Sequence, residues 1–395
     1  MNKTNSPKER KINLGSAIIG GTVALFIGVF IGVNFNSLSS FLPYLGFNKN
    51  TEMDWDSLNE VYSALSSNYD GELDQKTLIE GAKKGLTESI GDDYTVYMDP
   101  EEAEEFDKSL HGDVGAGIGV EMATRDGYVR VIRTLPDNPA RKAGILAGDI
   151  FYKVNGEEVY NLSSEDIANK VRGEEGSEVT ITIVRDGEEK SFTMKREKIN
   201  NVSAYVNYEG NTAILTITRF DNDTGTLAQS LAAEFKDRKV NKVILDLRGN
   251  GGGYVSAAKD LLSLWIDGEK IVTQKSSHFN DEITYASRGK AILSDIKTVV
   301  LVDGTTASAS EITAGALKDY KKATIVGETT FGKGVVQTLV DLSAGSVLKV
   351  TTARWYTPND SNINGDGIKP DIEVENTYDD TNHGRDPQMD KAKKI

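Results

Sequence analysis

Apolar positions along the chain follow successive patterns that predict separate segments. Residues 14–33, LGSAIIGGTVALFIGVFIGV, contain no charge and are long enough as a helix to cross the hydrocarbon core of a bilayer. From residue 54 to residue 110, apolar side chains recur every three or four positions, as in DWDSLNEVYSAL and LIEGAKKGLTESI, which is helical spacing. We therefore expect a membrane-anchor helix at 14–33 and a helical N-terminal segment at 54–110.

The pattern changes to short alternating strands over residues 112–198. The predicted strands GIGVEMA, GYVRVIRTL, DIFYKVNG, EVTITIVRDG and EKSFTMKRE are separated by Gly and Asp-Gly turns. One helix, SSEDIANKV, interrupts them, with Ser163 or Ser164 as its N-cap. This spacing predicts a β-rich domain with one or two helices.

Part of this domain resembles a known family. The stretch LPDNPARKAGILAGDIFYKVNG is similar to PDZ domains, in which a Gly-containing loop captures the terminal carboxylate of a peptide while the peptide adds a strand to the sheet. The resemblance assigns that loop to GIGV, which comprises Gly117, Ile118, Gly119 and Val120. A β-domain without a ligand is the alternative.

Strands and helices alternate over residues 199–376. NTAILTIT, NKVILDLRG, TVVLVDG and ATIVGE read as strands, and TLAQSLAAEFKD, YVSAAKDLLSLWI and ASEITAGALKDY read as helices. The strand cores are almost continuously apolar, as expected for a parallel sheet covered on both faces. GVVQTLVDL and SVLKVTTARWY follow as two alternating strands joined by a turn at 343–345. Residues 377–395 read as a polar C-terminal tail.

The distribution of charge predicts the orientation of the chain in the membrane and argues against one class of binding partner. Four cations against one anion precede the apolar run, so the positive-inside rule puts residues 1–13 in the cytoplasm and everything after Val33 outside. No A-x-A signal follows the run, which favours an uncleaved single-pass anchor over a removed signal peptide. The formal net charge of −15 disfavours nucleic acid as a partner.

Residue usage argues against metal and thiol chemistry. The chain has no cysteine, and His111, His278 and His383 are not spaced as zinc ligands. The run Asp360-x-Asn362-x-Asn364-Gly365 is similar to a calcium-binding loop. Pro370 and the strand-like flanking sequence are incompatible with the two helices of an EF-hand, so we do not expect calcium here. We expect neither a metal nor a cofactor.

Three unusual loops leave the carboxyl ends of predicted parallel strands. They are RGNGGG after NKVILDL, TTASASE after TVVLVDG and TTFGKG after ATIVGE. Loops at these ends share one edge of a parallel sheet with right-handed crossovers, so a glycine loop, a serine cluster and Lys333 are expected within reach of one another.

The serine cluster allows two interpretations. Ser308-x-x-Glu311 fits a capping box, which is a purely structural role. A helix N-terminus also stabilises an oxyanion, and the small Ala307 and Ala309 would leave a nucleophile approachable. No histidine lies in these loops, so Lys333 would have to act as base, with a pKa lowered by burial. Gln337 follows Lys333 by four along a strand and is expected on the same face, where it could hold the amine by a hydrogen bond.

Taken together, these segments resemble a C-terminal processing peptidase of the tail-specific serine protease family. The resemblance rests on the PDZ-like stretch, ILDLRGNGGG, TTASASEITAGALKDY, GETTFGKGVVQ, TARWYTPN and GDGIKPDIEV. It implies Ser308 as nucleophile, Lys333 as base and Gln337 as the group that orients the lysine. It also implies oxyanion donors at Ala309 and in the glycine loop, with Gly252 and Gly253 as candidates.

The expected protein is an α+β multidomain chain. It has an anchor, a helical segment, a PDZ domain at 112–198 and an α/β protease domain of crotonase-like architecture at 199–376. It would act as a membrane-anchored, extracytoplasmic serine endopeptidase on protein substrates bound by their C-terminal tails, and a homo-oligomer is compatible with this. A catalytically silent PDZ adaptor and an acyl-CoA enzyme are the competing interpretations.

Overall fold

The computed structural model describes residues 53–113, 115–125, 127–276, 281–377, 379–380 and 385–395. The expected anchor at 14–33 lies outside the described residues. Within the described residues, no helix has both the length and the apolar character needed to cross a membrane. The described residues up to Leu78 and those from Ile79 onward belong to two separate compact units.

Three helices and one short strand precede the PDZ-like region: α1 (Trp55–Asn68), α2 (Gln75–Glu88), β1 (Val96–Met98) and α3 (Pro100–Leu110). The helices agree with the period of three and four in the sequence. Asp99 begins α3 with a capping box, since its side chain accepts from Glu102 N at 3.0 Å and Glu102 Oε2 accepts from Asp99 N at 3.0 Å. Strand β1 was not predicted, because only three residues form it and its partner lies about 250 residues later in the sequence.

A small β-domain follows. Its elements are β2 (Ala116–Gly117), β3 (Val120–Arg125), β4 (Tyr128–Thr134), α4 (Pro139–Ala143), β5 (Ile150–Val154), β6 (Glu157–Glu158), α5 (Ser164–Val171), β7 (Glu178–Arg185), β8 (Glu188–Lys195) and β9 (Glu197–Lys198). The main sheet has the order β3-β4-β5-β7-β8, which makes β3 an edge strand. Ser163 is the N-cap of α5, and its hydroxyl accepts from Asp166 N at 3.1 Å. Phe151, Ile167 and Ile181 lie in the buried core between the sheet and its helices.

The rest of the chain forms an α/β domain with two sheets. Its elements are β10 (Ala204–Glu209), β11 (Thr212–Ile217), α6 (Thr224–Ala233), β12 (Lys242–Asp246), α7 (Val255–Leu262), β13 (Lys270–Ser276), β14 (Asp281–Ala286), β15 (Lys297–Val302), α8 (Ala309–Asp319), β16 (Thr324–Gly327), β17 (Val335–Asp341), β18 (Val347–Tyr356), β19 (Ile372–Glu373) and α9 (Pro387–Lys394).

The first sheet of this domain has the order β10-β11-β12-β15-β16-β19 and is parallel except for β10. Strands β12, β15 and β16 are neighbours, so the three loops singled out in the sequence do share one edge. The apolar strand cores are buried on both faces, as in Val243, Ile244 and Val300. Continuous apolar runs therefore correspond to the buried parallel strands, as expected.

The second sheet joins β17, β18, β13 and β14 to β1. Strands β17 and β18 form the predicted hairpin, with a single 3₁₀ turn at Ser343–Gly345. Strands β13 and β14 were not predicted, since their alternation is interrupted by polar residues.

The C-terminal residues differ from the predicted polar tail. Residues 387–394 form helix α9, with Ala392 fully buried and Met389 packed against the cluster that contains Ile244 and Val299. The helix has only a narrow apolar face. Its mostly polar composition therefore did not predict that it packs against the sheet. The prediction of a polar tail was therefore wrong for residues 387–394, which form a helix that covers one face of the parallel sheet.

Candidate active site

Ser308 occupies a strained turn between β15 and α8. Its backbone has φ 54° and ψ −116°, in the left-handed half of dihedral space that residues with a Cβ rarely adopt. Strain of this kind is held in place only by surrounding structure, and it concentrates at functional sites. Ser310, the other serine of the cluster, lies within α8, is fully buried and donates from Oγ to Asn250 O at 3.0 Å. The geometry thus presents Ser308, and not Ser310, at the helix N-terminus.

The carboxylate of Glu311 fixes this turn. Glu311 is fully buried, and its Oε2 accepts from Ser308 N at 2.8 Å and from Lys333 N at 2.9 Å. Oε1 accepts from Gly332 N at 2.7 Å and from Thr330 Oγ1 at 2.5 Å. The capping-box interpretation was therefore right about Glu311, but this residue also joins the serine turn to the lysine loop.

Lys333 lies in a tight loop between β16 and β17. Gly332 has φ 87°, and a Cβ on Gly334 would come within 2.5 Å of Asn364 N, so neither position accepts a side chain without movement. Trp355 Nε1 donates to Lys333 O at 2.7 Å. Lys333 Nζ lies 5.1 Å from the centre of the Tyr94 ring, which leaves a partly buried amine against an aromatic face.

The surroundings of Lys333 favour its neutral form. Burial lowers the pKa of Lys333, and the nearby charge of Lys349 lowers it further, while Glu311 and Asp92 act in the opposite direction. The net effect is a pKa below the ordinary lysine value. A lowered pKa is the direction of shift that a lysine needs in order to act as a general base.

Gln337 lies near Lys333 for a reason other than the predicted one. Lys333 precedes β17, and the pairing register shifts between Val336 and Gln337, so simple strand alternation does not relate the two residues. Both side chains nevertheless line the same cavity. Gln337 Nε2 donates to Thr351 Oγ1 at 3.3 Å on the neighbouring strand β18.

The glycine loop after β12 packs directly on the serine turn. A Cβ on Gly252 would lie 2.8 Å from Ser308 Cβ and 2.9 Å from Ala309 N, and Gly252 itself has φ 101°. Gly252 N donates to Asn250 Oδ1 at 2.8 Å, so its N–H is engaged within the loop in this conformation. Ala309 is the first residue of α8, where N–H groups have no partner within the helix.

Asn250 joins the loop to the serine turn. It is fully buried, its Nδ2 donates to Ile217 O at 2.8 Å, and its backbone oxygen accepts from Ala307 N at 3.0 Å. The side chain thus fixes the glycine loop while the main chain fixes the turn that carries Ser308.

A single cavity of about 460 Å³ brings the candidate residues together. Ser308, Lys333 and Gln337 line it with the loop Gly251–Gly253. Apolar side chains form much of the remaining wall, among them Phe106, Phe220, Ile312, Leu339 and Trp355. In this conformation, the described residues show no hydrogen bond between Ser308 Oγ and Lys333 Nζ. Catalytic hydrogen bonds often form only when substrate is bound.

Several residues at this site could not be predicted from the sequence. Tyr94 lies two residues before β1 and Lys349 lies in β18, so both come close to Lys333 through the second sheet, in which β1 pairs with β18. Glu311 binds both the serine turn and the lysine loop, and the second contact was not predicted because a capping box accounts for a glutamate at this position. A buried carboxylate that accepts four hydrogen bonds can be recognised only from the folded chain.

The PDZ-like domain has a separate groove beside its edge strand. A cavity of about 130 Å³ is lined by Gly117, Ile118, Gly119 and Val120 of the predicted loop, together with Val171 of α5. Strand β3 leaves this loop as an edge strand, so its outer side is available for a further strand.

One hydrogen bond connects the PDZ-like domain to the glycine loop. Arg133 of β4 donates from Nη2 to Arg248 O at 2.9 Å, and Arg248 is the first residue of the loop RGNGGG. Arg133 also pairs with Glu121 of β3, with Nε 2.5 Å from Oε2. The Arg248 side chain is in turn held by Asp246 at 2.7 Å and by Asp386 at 2.8 Å.

Comparisons with known protein families agree with this architecture. Residues 211–374 match peptidase family S41, residues 116–195 match the PDZ domain, and residues 43–102 match the N-terminal domain of the activating protease CtpB. A probable CtpA-like serine protease of Staphylococcus aureus is 34% identical over 366 residues, which cover 92% of this chain and 72% of that protein. A similar protein of Staphylococcus epidermidis is 34% identical over 330 residues, covering 83% and 67% of the two chains.

Solved structures give the same picture. A photosystem II D1 C-terminal processing protease superposes with a TM-score of 0.59 at 30% identity and covers 82% of this chain and 87% of that one. A putative S41 protease of Bacteroides fragilis has a TM-score of 0.53 at 16% identity, covering 73% and 80%, and supports the fold alone.

The fold and the cavity thus define a serine protease that carries a PDZ domain. The chain belongs to peptidase family S41, among the C-terminal processing peptidases. This membership confirms the protease interpretation over the silent adaptor.

Proposed function

We propose that this chain hydrolyses peptide bonds in C-terminal segments of other proteins with a Ser308–Lys333 dyad. Neutral Lys333 takes the proton of Ser308 Oγ as that oxygen attacks the scissile carbonyl carbon. The protonated amine then gives its proton to the leaving nitrogen, and an acyl-enzyme ester remains on Ser308. Water, deprotonated by Lys333, hydrolyses the ester and releases a new carboxylate.

The observation that carries this proposal is the shared cavity. Ser308 and Lys333 line it together, and burial lowers the pKa of Lys333 toward the range of a base. The strained turn at Ser308 supports the same assignment, because strain held by the buried Glu311 is difficult to explain for a simple helix cap.

The N-terminal N–H of α8 would stabilise the oxyanion of the tetrahedral intermediate. Ala309 N is one donor in this proposal, and Gly253 N is the second, since Gly252 N is engaged by Asn250. Gln337 would orient the amine of Lys333 from the β17 side of the cavity.

The PDZ domain would present the substrate. Its groove beside β3 accepts an extended C-terminal tail, with the N–H groups of the Gly117–Val120 loop binding the terminal carboxylate. The proposal retains a single-pass anchor at residues 14–33 and an extracytoplasmic catalytic part, on the basis of the uncharged run and the cations before it. It also retains a crotonase-like architecture for the α/β part, on the basis of its mainly parallel sheet.

The test is cleavage of a tail-bearing protein by the full chain and by five variants of it. Ser308→Ala and Lys333→Ala should each abolish turnover, and the double variant should lose no more than either one, because nucleophile and base act as a unit. Lys333→Arg should not restore activity, since a guanidinium stays protonated. Folding is checked by circular dichroism. Turnover retained by Ser308→Ala and lost in Ser310→Ala would reject the assignment.

A further inference from the structure

The active-site cavity has an unusual charge. Its lining contains the cations Arg219, Lys333 and Lys349 and no aspartate or glutamate, in a chain whose formal net charge is −15. A cationic cavity in an acidic protein concentrates anionic groups of a substrate at this point.

Two of these three cations have other roles. Arg219 pairs with Asp221, its Nη2 lying 2.8 Å from Oδ2. Lys333 is the proposed base and must lose its charge to act. Lys349 remains, and within the described part of the chain it has no ion pair with a carboxylate. Its ammonium nitrogen lies 5.4 Å from the centre of the Phe106 ring.

Lys349 is also partly buried. Removing an ammonium group from water is costly unless an anion or a set of hydrogen-bond acceptors replaces the water. Contact with one aromatic face offsets a small part of that cost. A carboxylate supplied by a bound substrate would offset much more.

The position of Lys349 places it beside the reaction centre. On β18 it pairs directly with Leu339 of β17, and Gln337 lies diagonally across the two strands at about 7–8 Å between the backbones. Leu339 and Gln337 line the same cavity. A sphere with the volume of this cavity is about 10 Å across, and an extended peptide spans this distance in about three residues.

We propose that Lys349 is a specificity-determining residue that binds a carboxylate of the peptide substrate within about three residues of the bond that is cleaved. The ammonium group donates charge-assisted hydrogen bonds to that carboxylate. The proposal rests on the function proposed above, with Ser308 as the position of the reacting bond. The carboxylate is either an Asp or Glu side chain or the terminal carboxylate of a short tail.

A purely electrostatic effect of Lys349 on Lys333 would give different kinetics from carboxylate binding. If it served only to keep the neighbouring Lys333 uncharged, its removal would affect every peptide equally and would shift the pH profile. A carboxylate-binding residue instead changes the ratio between an acidic peptide and its neutral counterpart.

The experiment compares matched peptides with the full chain. The starting peptide is one that the wild-type chain cleaves, amidated at its C-terminus. Variants carry a single Glu, Gln or Lys at each of the three positions on either side of the bond. A second set has neutral side chains and a free carboxylate one to three residues after the bond. The measured quantity is the ratio of kcat/KM values within each matched set.

We expect the wild-type chain to favour Glu over Gln at one position, or a free terminus over an amide, by about tenfold or more, the effect of one charge-assisted hydrogen bond. The set that shows the preference identifies the source of the carboxylate. Lys349→Gln should remove the preference, Lys349→Arg should keep it, and Lys349→Glu should reverse it in favour of Lys. Lys236→Glu, an exposed residue outside the cavity lining, is the control for net charge and should leave the ratios unchanged.

Two outcomes would overturn the proposal. One is a wild-type chain that shows no preference in any matched set, and the other is a ratio that Lys349→Gln and Lys349→Glu leave unchanged. Ser308→Ala separates this proposal from the function on which it rests. If Ser308→Ala still cleaves and the ratios still follow the charge at residue 349, only the nucleophile assignment fails. If Ser308→Ala is inactive and the kcat/KM ratios do not change with the residue at position 349, only the carboxylate-binding role of Lys349 is rejected.

Discussion

The carboxylate of Glu311 and the backbone amide of Lys333 are joined by a hydrogen bond of 2.9 Å across 22 residues of sequence. The same carboxylate oxygen accepts from Ser308 N at 2.8 Å. One buried atom therefore fixes the spacing between the turn that carries the proposed nucleophile and the loop that carries the proposed base. Positioning of this kind matters because a misplacement of about 1 Å can cost about a hundredfold in rate.

We expect Glu311→Gln to damage both the fold and the reaction. A glutamine offers one acceptor oxygen in place of two and directs an NH₂ group at backbone donors, so the free energy of unfolding should fall by about 3 kcal/mol or more. Urea unfolding measures the loss, and kcat/KM at a temperature where the variant is folded measures the catalytic part.

Glu234→Gln is the matched control for this substitution. Its carboxylate is exposed and pairs with Arg238 at 3.1 Å, so little change is expected in either quantity. A folded Glu311→Gln chain with wild-type kcat/KM would show that the carboxylate does not position the catalytic groups.

The pH dependence of the rate should report Lys333. Its lowered pKa means that the amine loses its proton at a lower pH than an ordinary lysine, so kcat/KM should rise as the pH increases through that value. Lys349→Met removes one cause of the lowering. The rising limb should therefore move to higher pH, while Lys349→Arg should leave it in place.

A neutral, amidated peptide is the substrate for this measurement, so that carboxylate binding does not contribute. Stability gives an independent check. Between the lowered pKa of folded Lys333 and the ordinary value of about 10.4, the unfolded chain binds more protons, and stability should rise with pH. Lys333→Met should remove that contribution. Identical pH–rate profiles for wild type and Lys349→Met would contradict the electrostatic link.

Two adjacent glycines should respond very differently to alanine. Gly252 has φ 101°, and a Cβ there would meet Ala307 O at 2.7 Å, whereas a Cβ on Gly251 would meet no atom within 4 Å. Gly252→Ala must displace the serine turn, and we expect a loss of about a hundredfold or more in kcat/KM, as when an oxyanion donor is removed. Gly251→Ala should retain nearly full activity. Equal activities would mean that the loop does not depend on its contact with Ser308.

The hydrogen bond from Arg133 to Arg248 O predicts an influence of the PDZ domain on catalysis. Arg133→Gln removes the donor to the Arg248 carbonyl, which begins the glycine loop, so kcat should fall severalfold with little change in KM. Lys142→Gln is the control, because it breaks only an exposed ion pair with Glu197 within the PDZ domain. An unchanged kcat in Arg133→Gln would show that this hydrogen bond does not position the glycine loop.

Much of the fold was predictable because its signals are local. Period-two alternation found the PDZ strands, and continuous apolar runs found the parallel strands whose ends share one edge. The shared edge in turn predicted that the loops carrying Ser308 and Lys333 lie close together. Helix α9 was missed because its polar sequence buries only a few side chains, such as Ala392. Strand β1 was missed because three residues carry too little pattern.

The sequence by itself determined the order of the elements and the candidate residues Ser308, Lys333 and Gln337, since helical and strand periods and the loops between them depend on neighbouring residues. Only the tertiary structure decided what surrounds those candidates. Tyr94 and Lys349 reach the base through the pairing of β1 and β18, and Arg133 reaches the glycine loop from another domain. Such contacts join residues far apart in the chain, and no local period encodes them, because their energy depends on burial and geometry that exist only after the sheets have packed.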